Sequence, residues 1–110
     1  MIPTAIRDRY LQDPLPIRLG GLAADLARIA SWADNPKNHR AVASLLEEGK
    51  YFCEWAAPDA PFEIQEVLAE VQLQLACWHR RWLSGEPDPR MPEEAQRWSD
   101  RLLELSGLTA

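Results

Sequence analysis

Apolar residues recur three and four positions apart in four long stretches of the chain, the period of a helix that buries one side. The first seam runs Leu19, Leu22, Leu26, Ile29, Ala33. The second runs Val42, Leu46, Gly49, Cys53, Ala56, widened by Leu45 and Phe52. Ile64, Leu68, Val71, Leu75, Trp78 and Trp82 make the third, and Met91, Ala95, Trp98, Leu102 and Leu105 the fourth. No stretch alternates with a period of two, and β-branched residues are sparse, so the pattern predicts an all-α protein.

Proline punctuates these stretches, because it cannot continue a helix and pushes the preceding residue out of the α region. Pro16, Pro36, Pro61 and Pro92 each stand where a first helical residue is expected, and Gly107 closes the last stretch. Helices are predicted over about 16–33, 36–57, 61–84 and 92–106. Residues 1–14 form an N-terminal arm, with a short helix near Thr4 to Leu11 that puts Ile2, Ile6 and Tyr10 on one side; 15–110 form one helical domain. Linkers of roughly 3–8 residues make neighbouring helices antiparallel, which predicts an up-down-up-down four-helix bundle. Its second and third helices, at roughly 22 and 24 residues, are the longest, giving a central hairpin about 33–36 Å long.

A helix packed on one side is polar on the other, so apolar residues opposite a seam are informative. On the third helix Phe62, Ala69, Leu73, Ala76 and Leu83 lie opposite the seam, sharing that side with Glu63, Glu66 and Glu70. Tyr51 and Trp55 fall off the seam of the second helix, among Glu47, Glu48 and Glu54. Tyr51, Trp55, Phe62, Leu73 and Leu83 are therefore the candidate interface, since tryptophan and tyrosine dominate binding hot spots. The bland alternative is that Trp55 folds back over its proline linker.

Of five tryptophans, Trp78, Trp82 and Trp98 lie on seams and are expected to fill the end of the bundle, while Trp32 sits beside its seam. Gly49 in mid-helix costs about 1 kcal/mol relative to alanine, so it marks either close helix approach or room for a bulky group. If room, Gly49, Trp78, Trp82 and Trp98 would wall a pocket for a small aromatic or tetrapyrrole-like ligand. Ala23, Ala27 and Ala30 form a small-residue ridge suited to tight helix crossing, and Gly20-Gly21 marks a fray or a place where a neighbour's ring presses on backbone.

Composition narrows the chemistry. The 110 residues carry 12 basic and 17 acidic side chains for a formal charge of −5, and residues 47–70 hold seven acids and one lysine, a surface that opposes nucleic acid. The one compact basic cluster, His79-Arg80-Arg81, falls in a last helical turn, where cations complement free carbonyls. No apolar run reads as a membrane span or secretory leader, and two cysteines make no disulfide scaffold, so a reduced cytoplasmic setting is expected. No metal or cofactor is expected: Cys77 and His79, two apart on a helix, point about 160° away from each other. Glu63-Ile64-Gln65-Glu66 matches half of the paired carboxylates with which all-α nucleotide pyrophosphohydrolases hold magnesium, but the fourth helix offers Arg97 three residues before Asp100. No acid-histidine-nucleophile set assembles from the spacing.

Leu19-Gly20-Gly21-Leu22-Ala23, Tyr51-Phe52-Cys53-Glu54-Trp55, Gln72-Leu73-Gln74-Leu75-Ala76-Cys77-Trp78, Trp98-Ser99-Asp100-Arg101 and Ser106-Gly107-Leu108 together resemble a family of small, uncharacterised helical proteins of cyanobacteria, over about residues 15–108. The resemblance implies a soluble cytoplasmic protein and brings no activity, ligand or catalytic residue. The expectation from the residues is a non-enzymatic helical interaction or assembly module, homodimeric or bound to another protein. The ligand-binding bundle is the alternative.

Overall fold

The structure is a computed structural model, and it describes residues 4–108. Five α-helices follow one another: α1 Thr4–Gln12, α2 Leu15–Trp32, α3 His39–Ala56, α4 Phe62–Leu83 and α5 Met91–Ser106. There is no strand among the described residues. No helix among them is long and apolar enough to cross a membrane. The Cα radius of gyration is 13.2 Å, close to the ~13 Å of a compact chain of this length.

Pro16, Pro61 and Pro92 stand one position from the expected first helical residue, and Pro36 stands three residues ahead of its helix. Pro14 and Pro61 are N-caps, Pro16 and Pro92 are second residues of α2 and α5, and Pro36 opens a 3₁₀ turn, Pro36–Asn38, ahead of α3. All these sites tolerate proline for one reason: the first amides of a helix have no partner within it. A second 3₁₀ turn, Ala57–Asp59, follows α3. These tighter turns shorten α3 to 18 residues, equal to α2, so that α4, at 22 residues, is the longest helix. The arm's short helix is present as α1, with Tyr10 buried and Ile6 half-buried; Ile2 lies outside the described residues. Gly107, at φ +74°, ends α5 in the left-handed conformation that glycine adopts without steric cost.

Packing runs in the order α4, α3, α2, α5, with α1 against α3 and only slight contact between α4 and α5. Leu19, Leu22, Leu26 and Ile29 of α2 share one buried cluster with Val42, Leu45, Leu46, Phe52, Cys53 and Ala56 of α3, and Leu68, Val71, Leu75, Trp78 and Trp82 join from α4. Gly49 is a point of close approach: a Cβ there would lie 2.9 Å from Leu75 Cδ1 and 3.7 Å from Leu22 Cδ1.

α5 turns slightly from its expected seam. Met91, Ala95, Ser99, Leu102 and Ser106 are buried, whereas Trp98 and Leu105 are half-buried. The small Ser99 lets α5 settle on the Ala23 ridge of α2, and its hydroxyl donates to the Ala23 carbonyl at 2.7 Å. A tryptophan at that place would hold the helices apart. The Gly20-Gly21 step is not frayed but covered: a Cβ on Gly20 would meet Leu108 at 2.8 Å, and one on Gly21 would meet the Tyr10 ring at 3.9 Å.

Candidate functional site

The five candidate interface residues separate into two places. Trp55 is half-buried beside Tyr10 and Phe52, with ring centroids 6.0 Å from each, while Tyr10 stacks on Phe52 at 4.0 Å. The arm thus covers much of Trp55 within one chain, and the Tyr10 hydroxyl, donating to the Arg18 carbonyl at 2.9 Å, anchors it. Burial pushes the Tyr10 phenol well above its ordinary range. Tyr51 is half-buried next to Trp55, 5.6 Å between centroids, and borders an open groove of about 250 Å³ with Glu47, Lys50, Glu54 and Gln72.

Phe62, Leu73 and Leu83 lie elsewhere, on the outer side of α4, and are 72, 68 and 65% exposed. Ala69 and Ala76 are exposed on the same side, as are Glu66 and Arg80. The last two do not stand out as apolar surplus. Their signal in the sequence is spacing alone, four residues after Phe62 and three before Leu83. The face is flanked by two grooves. The Tyr51 groove separates it from α3, and a groove of about 380 Å³, bordered by Gln74, Glu94, Arg97, Trp98 and Arg101, separates it from α5.

Side chains at the edges of the face are held by the fold. Gln65 Nε2 donates to the Ala57 carbonyl at 2.8 Å and Gln72 Nε2 to the Lys50 carbonyl at 3.2 Å, fixing the rotation of α4 on α3. Lys50 Nζ lies 2.9 Å from His79 Nδ1, and burial, then the lysine charge, holds the imidazole below its usual range. The neutral ring thus accepts the bond. Arg81 does not cap its own helix: its Nε donates to the Glu86 carbonyl at 3.0 Å and its guanidinium lies 3.7 Å from Asp88, pinning the next loop. The three-residue basic cluster is therefore divided, and Arg80 alone points outward without a hydrogen-bonded or ion-paired side-chain partner among the described residues.

The four residues proposed to wall a pocket do not share one space. Trp78 is 1% exposed in the core. Trp82 donates its indole N–H to the His39 carbonyl at 3.0 Å and stacks on the His39 ring, opening onto a groove of about 220 Å³ beside Pro87, Pro89 and Pro92. Trp98 opens onto the groove between α4 and α5, and the space above Gly49 holds Leu75.

Two polar groups are unusual. Asp25 is buried between α2 and its neighbours; burial, with the Glu48 charge second, raises its carboxyl to about 7, against the opposing pull of Arg28 at 3.2 Å. Its Oδ2 and the Trp78 indole nitrogen are buried without hydrogen-bond partners. Cys53 is buried and its thiol is pushed up to about 12 by that burial, whereas Cys77 is exposed despite its apolar surroundings in sequence. Among the described residues no three of His, Cys, Asp and Glu converge to hold a metal ion.

The described residues form an all-helical protein with a packed apolar core, and on the outer side of α4 they leave Phe62, Leu73 and Leu83 exposed. No family model matches the chain, and no curated protein or solved structure matches it significantly.

Proposed function

We propose that this protein is a non-enzymatic helical interaction module, built as an antiparallel up-down bundle, which pairs with a second copy of itself through the outer face of α4. The observation that carries the reading is the exposure of Phe62, Leu73 and Leu83 along one side of the longest helix, while the opposite side of that helix is dry. Together with Ala69 and Ala76 between them, these side chains give the outer side of α4 apolar surface that a partner could bury. Tyr51 and Trp55 contribute less than the sequence suggests, because the arm already packs on Trp55.

The gain and the cost of association are of the same order. Fully burying a large apolar side chain stabilises by about 1.5–3 kcal/mol, so three already two-thirds exposed side chains from each copy bring about 6–12 kcal/mol. Association costs about 4–15 kcal/mol in lost freedom. With the two so close, the proposed dimer is one whose population follows concentration.

Sedimentation velocity over a roughly hundredfold concentration range tests this. Wild type is expected to shift from monomer to dimer, and Leu73→Asp to remain monomeric, with melting temperatures that agree at the dilute end, where both are monomers. A wild-type protein that stays monomeric throughout removes the reading.

A further inference from the structure

Exposed positions 62, 66, 69, 73, 76, 80 and 83 of α4 are spaced alternately four and three residues apart, and so form one stripe that slants gently round the helix, as a coiled-coil seam does. In order they are Phe62, Glu66, Ala69, Leu73, Ala76, Arg80 and Leu83. The stripe is chemically palindromic about Leu73. Laid antiparallel on a copy of itself, Phe62 meets Leu83, Ala69 meets Ala76, Leu73 meets Leu73, and Glu66 meets Arg80.

Resting on the proposal that two copies meet on this face, we infer that they meet with their α4 helices antiparallel, about a two-fold axis passing near Leu73. Glu66 of each copy then pairs with Arg80 of the other. Two-fold symmetry makes every contact off the axis occur twice and closes the assembly at two chains. Ala69 and Ala76, on either side of the axis, let the helices approach to about 8 Å, the short end of the usual range. The parallel alternative sets Glu66 against Glu66 and Arg80 against Arg80, and like charges across a seam oppose pairing. Charge along the helix favours the same choice. Glu63 and Glu70 lie in the N-terminal half of α4 and Arg81 at its end, so an antiparallel partner lays acidic half on basic half.

Neither Glu66 nor Arg80 makes a side-chain hydrogen bond or ion pair among the described residues, so both are free to serve a second chain. Grooves at Gln72 and Gln74 flank the middle of the stripe, beside Leu73.

Charge reversal tests the pairing. Glu66→Arg alone and Arg80→Glu alone are each expected to weaken dimerisation by about tenfold or more, since each turns two attractions into two repulsions. The double variant Glu66→Arg/Arg80→Glu is expected to return to within about threefold of wild type, because the swapped pair has the same geometry. A short bis-maleimide cross-linker supplies an independent readout in a Cys77→Ser background: Leu73→Cys links to its own copy, Phe62→Cys does not. Thermal melts followed by circular dichroism establish that each exposed-site variant is folded. Self-linking through Phe62→Cys, or a double variant no tighter than the singles, overturns the antiparallel register while leaving the homodimer standing. A dimer indifferent to all the reversals places the contact on another face and overturns the inference outright. A monomeric wild type removes the homodimer itself.

Discussion

Gly49 and Leu75 are in contact across the α3–α4 interface so closely that a methyl group on the glycine would lie 2.9 Å from Leu75 Cδ1. Leu75 is fully buried and has little freedom to move aside. Gly49→Ala gains up to about 1 kcal/mol of helix propensity, but overpacking a filled core costs about 1–3 kcal/mol. The net expectation is a loss of about 1 kcal/mol and a melting temperature lower by about 4–8 °C, read by thermal denaturation. A more stable Gly49→Ala would show that the space is not filled.

Arg18 joins three parts of the chain. It is 6% exposed, with Nε donating to the Asp13 carbonyl at 3.0 Å and Nη1 to Asp59 Oδ2 at 2.9 Å, so it ties the α1–α2 turn to the linker after α3. Asp59 is largely exposed and partly served by water. Arg18→Ala removes both bonds and the packed stem, and is expected to cost about 1–3 kcal/mol in urea denaturation. Asp59→Ala is expected to cost less. The reverse order would place the weight on the carboxylate.

Asp25 makes stability depend on pH. Its carboxyl titrates near 7 in the fold against 3.8 in the free chain, so the folded state holds the proton more tightly between those values. Its contribution is complete below about pH 4, falls as pH rises toward 7, and is level beyond, a change on the order of 2–4 kcal/mol. Glu48, whose carboxyl is also raised by burial, adds in the same direction. Asp25→Asn is expected to flatten the curve of melting temperature against pH between about 4 and 7. An unchanged slope would assign the effect to Glu48.

The two thiols differ in access and acidity. Cys77 is expected to react with a thiol reagent in the native protein, and Cys53, buried and shifted up to about 12, only after unfolding. Titration with and without denaturant should count one thiol, then two. Native reaction of both would indicate that α3 opens readily.

Much of the fold was legible because helical period and proline placement are local properties. The first three seams matched the buried faces of α2, α3 and α4 almost residue by residue, since a helix that must hide one stripe can hide only the apolar one. The fourth seam was misplaced by one residue, Trp98 for Ser99. Hydrophobicity favours the ring, but the crossing of α5 over the alanine ridge of α2 admits only the smaller side chain. The surplus on α4 was readable as apolar residues opposite a seam, and Phe62, Leu73 and Leu83 are indeed exposed. Trp55 was not separable from them by sequence, because what covers it is Tyr10, brought from 45 positions away by the turn of the arm.

By itself, then, the sequence determined the all-α class, the segments that become helices and the sides that α2, α3 and α4 bury, for these follow from backbone propensity and the spacing of apolar groups along a single helix. Tertiary structure decided the order α4–α3–α2–α5, the use of Gly49 for contact instead of cavity, the burial of Arg18 and Asp25, and the division of the candidate residues between a covered aromatic cluster and an open helix face. Those outcomes depend on which surfaces meet when helices pack, and a side chain's exposure is set by neighbours that no local pattern names.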